Sequence, residues 1–133
     1  MNRIDQIAQE PRVQAALASF EAQRDVLLES IIAIQQIPSP TFHEKKRAAN
    51  IEARFSDLGL QDVEQDSLHN VYGRLPGSEP AAATPVIVSA HSDTVFPQDT
   101  DLTVTQDGRF FSGPGIPEYA IPLIHGQRKL AVR

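Results

Sequence analysis

His91 and Asp93, two positions apart, form a pair suited to holding a metal ion. A neutral imidazole is the commonest protein ligand for zinc, and its free N–H is usually held by a carboxylate. On extended backbone, side chains two positions apart point the same way, so Asp93 can serve as that carboxylate. The pair follows Pro85-Val86-Ile87-Val88-Ser89-Ala90, a continuous apolar run that ends in small residues. Such a run predicts a central strand covered on both faces, with His91 delivered at its carboxyl end. Ser89 and Ala90 leave room for a metal beside that end. A His-x-Asp pair is a weak motif by itself, and the alternative is a hydrogen-bonded pair in a loop.

The chain offers three further histidines. His43 falls in the predicted first turn of a helix and should be exposed. His69 precedes a strand and should pack or cap a turn. His125 lies in an irregular tail. Asp99, Asp101 and Asp107 read as turn residues. A catalytic zinc needs about three protein ligands and an open position. Gly113-Pro114-Gly115 lacks the flanking pattern of a phosphate loop, and the chain has no Gly-x-Ser-x-Gly elbow. A nucleotide-binding α/β domain is therefore a weak alternative.

The elements that must position these residues are legible. Val13, Ala16, Leu17, Phe20, Leu27, Leu28, Ile31 and Ile32 recur at spacings of three and four and predict helix over 12–36. Arg24 interrupts the stripe, so one helix or two are open. Ile37-Pro38-Ser39-Pro40 ends it. Thr41-Phe42-His43-Glu44 predicts a capping box, followed by a helix burying Ala48, Ile51, Phe55 and Leu58. Gly59 supplies a left-handed stop. Short strands are expected near 62–66 and 70–74, then a surface loop from Pro76. Leu102–Thr105 and Arg109–Ser112 flank a predicted hairpin turn at Gln106-Asp107-Gly108. The order of elements is an α/β pattern.

Composition sets the bounds. The 133 residues are 41% hydrophobic and 22% charged, which suits a globular chain with one core. A net charge of −5, with basic residues scattered apart from Lys45-Lys46-Arg47 and Arg128-Lys129, which read as solvated helix faces or tails, argues against a nucleic-acid partner. The absence of cysteine excludes disulfides and thiolate metal sites. The first residues lack the apolar core of a signal peptide, and no apolar run approaches the roughly 18 residues of a membrane span. The expected setting is cytoplasmic, with no membrane partner.

Four motifs follow one another in order: Ile37-Pro38-Ser39-Pro40-Thr41, His69-Asn70-Val71-Tyr72-Gly73, Ser89-Ala90-His91-Ser92-Asp93-Thr94-Val95-Phe96-Pro97 and Phe111-Ser112-Gly113-Pro114-Gly115-Ile116. Together, over residues 12–116, they resemble the amino-terminal part of the co-catalytic zinc peptidases and deacylases. That family includes acetylornithine deacetylase, succinyl-diaminopimelate desuccinylase, glutamate carboxypeptidase and the tripeptide aminopeptidases. The resemblance implies an α/β fold, an incomplete zinc-peptidase-like domain of amino-terminal helices plus part of a mixed sheet over 1–116. It implies a zinc-dependent peptidase or N-acyl amino acid amidohydrolase, with two zinc ions, or cobalt or manganese in their place. The substrate would be a peptide or N-acyl amino acid, the nucleophile an activated water, and the full-length form a homodimer.

By that resemblance His91 is a zinc ligand and Asp93 orients it. The family then shows a glycine-rich turn and an aspartate bridging both metals. Here the turn is present, but Pro117-Glu118-Tyr119 stands where the aspartate is expected. Glu118 is a poor substitute, its arm longer and its predecessor a proline. The chain contains no Glu-Glu pair, which in the family supplies the general base and a ligand. Residues 117–133 read as a divergent, poorly ordered tail. The abrupt change after Ile116 predicts a frameshift, an early end or a fragment that is inactive alone. The alternative function is non-catalytic: a fragment, or a regulatory or binding partner of a full-length relative.

Overall fold

The computed structural model describes residues 2–77, 84–108 and 110–116. Expectations for the alanines after Pro80, for Glu118 and His125, and for the 117–133 tail lie outside the described residues. The chain divides into two compact units, Met1–Ala33 and Ile34–Arg133.

The first unit is helical. Helix α1 (Arg3–Ala8) opens on a capping box that the sequence reading missed. Asn2 Oδ1 accepts from the Asp5 N–H at 2.9 Å, and Asp5 Oδ2 accepts from the Asn2 N–H at 3.1 Å. Helix α2 (Pro11–Ala22) starts with proline, whose missing N–H costs nothing at a first turn. Of the two possibilities for the helical stretch over 12–36, two helices form, because the chain turns at Gln23 before α3 (Arg24–Gln35).

The second unit is built around α4 (Lys45–Asp57), β1 (Gln61–Gln65) and β2 (Val71–Arg74). The strands pair antiparallel, and α4 packs on both. Gly59, at φ 76°, supplies the left-handed stop that lets Leu60 turn back into β1. The hairpin is closed by Asp66. Its Oδ1 accepts from the N–H groups of Leu68 and Asn70, each at 2.9 Å, and its Oδ2 from Asn70 Nδ2 at 2.8 Å and the Tyr72 hydroxyl at 3.2 Å. His69 caps this turn at φ 66°, its Nδ1 2.7 Å from Gln65 Nε2. A second hairpin pairs β3 (Thr105–Asp107) with β4 (Phe110–Ser112). The described fold is thus mixed: helices with two small antiparallel sheets.

Several expectations change. Residues 84–90 form no strand, and Val86, Ile87 and Val88 are 89%, 86% and 93% exposed. A continuous apolar strand needs hydrogen-bonding neighbours and cover on both faces, and none of the described strands pairs with it. The Thr41–Glu44 capping box does not form either. Helix α4 begins at Lys45 with Glu44 as its N-cap, and the Glu44 carboxylate accepts from the Phe42 N–H at 2.8 Å. His43 is exposed as expected, but sits ahead of the helix instead of in its first turn. Ala48 is fully buried, Ile51 and Phe55 are half-buried, and Leu58 is exposed because the helix ends beneath it. The second hairpin turns after Asp107, so Gln106 and Asp107 pair with Phe111 and Phe110 instead of forming the turn. Among the described residues the buried apolar side chains are Ala48 and Leu102.

Candidate functional site

The site is assembled where two chain segments run side by side. Pro40 and Thr94 form a parallel bridge. The Thr94 N–H donates to the Ser39 carbonyl at 2.7 Å, and the Ser39 hydroxyl donates to the Ser92 carbonyl at 3.0 Å. Ser39 is fully buried, which a residue this small and internally bonded tolerates. The Ile37-Pro38-Ser39-Pro40-Thr41 motif and the His91-Ser92-Asp93-Thr94 motif therefore meet, although about fifty residues separate them in the chain (53 between Ser39 and Ser92).

His91 and Asp93 are in contact. His91 Nδ1 lies 3.0 Å from Asp93 Oδ1 and 2.9 Å from the Asp93 carbonyl oxygen. A carbonyl oxygen and an ionised carboxylate only accept hydrogen bonds. The geometry therefore assigns the proton to Nδ1, and the neutral ring keeps a bare Nε2. The His91 side chain is 84% exposed and that of Asp93 34%, so the ring faces solvent from a half-buried support.

Asp93 is held from its other side by Thr41, whose hydroxyl donates to Oδ2 at 2.7 Å. This bond is the main cause that holds the Asp93 carboxyl below its usual range; partial burial opposes it, and the His91 hydrogen bond adds to it. Arg47, on the first turn of α4, is the other member the sequence reading missed. It is 6% exposed. Its guanidinium donates to the carbonyls of Ser92 at 3.0 Å, Gln35 at 3.1 Å and Ile37 at 3.1 Å. Burial lowers the guanidinium from its ordinary value, and the Asp93 charge opposes that shift. Both residues lay inside stretches already singled out, Thr41 in the Pro-Ser-Pro motif and Arg47 in a basic cluster that reads as a solvated face.

The Gly113-Pro114-Gly115-Ile116 turn forms. Ile116 N–H donates to the Gly113 carbonyl at 3.0 Å, and Gly115 takes φ 77°, the left-handed position that follows proline in a type II turn. The Pro114 carbonyl accepts from the Gln35 side-chain amide. Asp99 lies in a turn, and Asp101 Oδ1 accepts from the Thr103 N–H at 2.9 Å, the expected turn roles.

The bare Nε2 of His91, steadied through Nδ1, fits one ligand position of a zinc ion. Among the described residues no group of three or more His, Cys, Asp or Glu gathers to hold a metal, so the rest of a catalytic ligand set is not present among them. Among the described residues no helix is long and apolar enough to cross a membrane. No protein-family model matches the chain, and no curated protein matches it.

Proposed function

We propose that this chain carries one metal-ligand arm of a zinc-dependent metallohydrolase that cleaves an amide bond in a peptide or an N-acyl amino acid. The observation that carries the reading is the His91–Asp93 pair, with Nδ1 engaged and Nε2 free. The order of the four motifs that resemble the zinc peptidases and deacylases supports it. In this reading His91 binds the metal, Asp93 orients the ring, and zinc, with cobalt or manganese as substitutes, supplies an activated water at neutral pH. The remaining ligands and the general base come from outside the described residues, Glu118 among the candidates. By the same resemblance the 133-residue chain alone is expected to be inactive, because its sequence holds no Glu-Glu pair.

Isothermal titration of the full chain with zinc tests the reading. Binding that His91→Ala abolishes supports it. Equal binding by wild type and His91→Ala overturns it. The second reading, a non-catalytic piece that associates with another polypeptide, draws on the unpaired and exposed Val86-Ile87-Val88 stretch. It predicts weak or no zinc binding, unchanged by His91→Ala.

A further inference from the structure

Each carboxylate oxygen of Asp93 has its own side-chain partner. Oδ1 faces His91 Nδ1 at 3.0 Å, and Oδ2 accepts from Thr41 at 2.7 Å. A carboxylate held at one oxygen only can rotate about its last torsion, which is broad for aspartate. One held at both oxygens cannot rotate without breaking a bond. Thr41 is thereby the group that decides where Oδ1 points, although it is 52 residues from Asp93 in sequence.

Thr41 reaches Asp93 because the two segments are joined by the Ser39 bonds to Thr94 and Ser92 and are clamped further from the α4 side. The Arg47 guanidinium spans Ser92 on one segment and Gln35 and Ile37 on the chain leading into the other. Gln35 is the last residue of α3, and its carbonyl lacks an intrahelical partner by position. A cation is the favoured group there. The planar fork of arginine can bridge three carbonyls at once, which the single ammonium of lysine matches poorly. A charged group so buried, with its bonds to backbone carbonyls on both segments, is placed to hold them in register.

We propose that Thr41 and Arg47 are positioning residues of the His91 site. Arg47 clamps the 35–37 backbone to Ser92, Thr41 fixes the Asp93 carboxylate, and the carboxylate, together with the Asp93 carbonyl, fixes the His91 imidazole as the Nδ1–H tautomer with Nε2 free for a ligand. The use of that nitrogen for a metal rests on the reading above; the relay itself does not.

The test is imidazole nitrogen NMR of the full chain, recorded at a pH of about 8, where an imidazole is ordinarily neutral. Wild type shows His91 dominantly as the Nδ1–H tautomer. Thr41→Val lowers the Nδ1–H share, with the Asp93 carbonyl at 2.9 Å still favouring that tautomer, and Thr41→Ser, which keeps the hydroxyl, restores it. Arg47→Ala does the same as Thr41→Val, and Arg47→Lys rescues it incompletely. Should Arg47→Ala fail to fold, the Thr41 pair decides, because Thr41 is exposed and its hydroxyl can be removed without opening a cavity. A Thr41→Val protein that folds and keeps the wild-type Nδ1–H share overturns the proposal. Zinc added to the same samples separates the two ideas. The metal should shift the His91 Nε2 resonance in wild type, with affinity about 10–100-fold weaker in Thr41→Val. A tautomer that follows Thr41 with no zinc response leaves the relay standing and removes the metal reading. Zinc bound equally by both, with unchanged tautomer, does the reverse.

Discussion

At the scale of the residue, the decisive fact is that His91 Nδ1 faces two oxygens that can only accept. The type and spacing of His91 and Asp93 made their contact legible, because alternate side chains on extended chain share a side. The Thr41 hydroxyl was not legible in the same way. Its neighbours, with Glu44 three positions on, suggest a helix cap, and a local partner is the economical guess. The folded chain instead offers it an ionised acceptor, and a charge-assisted bond is the stronger of the two. Asp93→Asn tests what the charge does. The carboxamide keeps an acceptor for the ring but loses the negative charge. Under the proposed metal-ligand role, zinc affinity, measured by titration calorimetry, should fall about 10–100-fold. An unchanged affinity would show that the Asp93 charge is irrelevant to binding.

At the scale of the element, the β1–β2 hairpin depends on one carboxylate. Hydrogen bonds from the Asn70 side chain and backbone, and from Leu68 and Tyr72, hold the Asp66 carboxyl below its usual value of 3.8. A depressed folded value means that the contribution is fully present above the unfolded value and is lost as pH falls through the folded one. Acid should therefore loosen the 65–72 turn below about pH 4. Amide exchange of Leu68 and Asn70 at successive pH values reads this directly. In Asp66→Asn the protection of the two amides, relative to their intrinsic exchange rates, should be low at neutral pH and change little with pH; protection equal to wild type would show that the charge is not what closes the turn. Helix existence was legible from apolar spacing. Helix starts were less so: α1 lacks an apolar stripe long enough to register, and Glu44 took the N-cap place that Thr41 was expected to hold.

At the scale of the whole molecule, the described residues leave much apolar surface uncovered. Phe42, Leu58, Leu68, Leu75 and Val95 are each at least 75% exposed, as are Val86, Ile87 and Val88. Ala48 and Leu102 are buried in their place, and both units carry exposed large apolar side chains. Burial of apolar area is the main favourable term in folding, so little of it means a marginal fold. Thermal unfolding followed by circular dichroism should have a midpoint below about 60 °C and a shallow transition. A sharp, reversible transition above that temperature would contradict this account.

The local features follow from the order of residues alone: the 3.6-residue periodicity of the helices, the stops at Gly59 and Pro38, the Pro114-Gly115 turn and the proximity of His91 to Asp93. Each depends on residues within a few positions, whose conformational preferences act without help from the rest of the chain. Tertiary structure decided which groups meet across about fifty residues (Thr41 with Asp93, 52 apart; Arg47 with Ser92, 45 apart). It also decided that the Pro85–Ala90 run pairs with none of the described strands. A strand is completed by neighbours, and an apolar run states only that it needs them. The same holds for Arg47: a basic side chain beside two lysines reads as solvated until the fold surrounds it with backbone carbonyls.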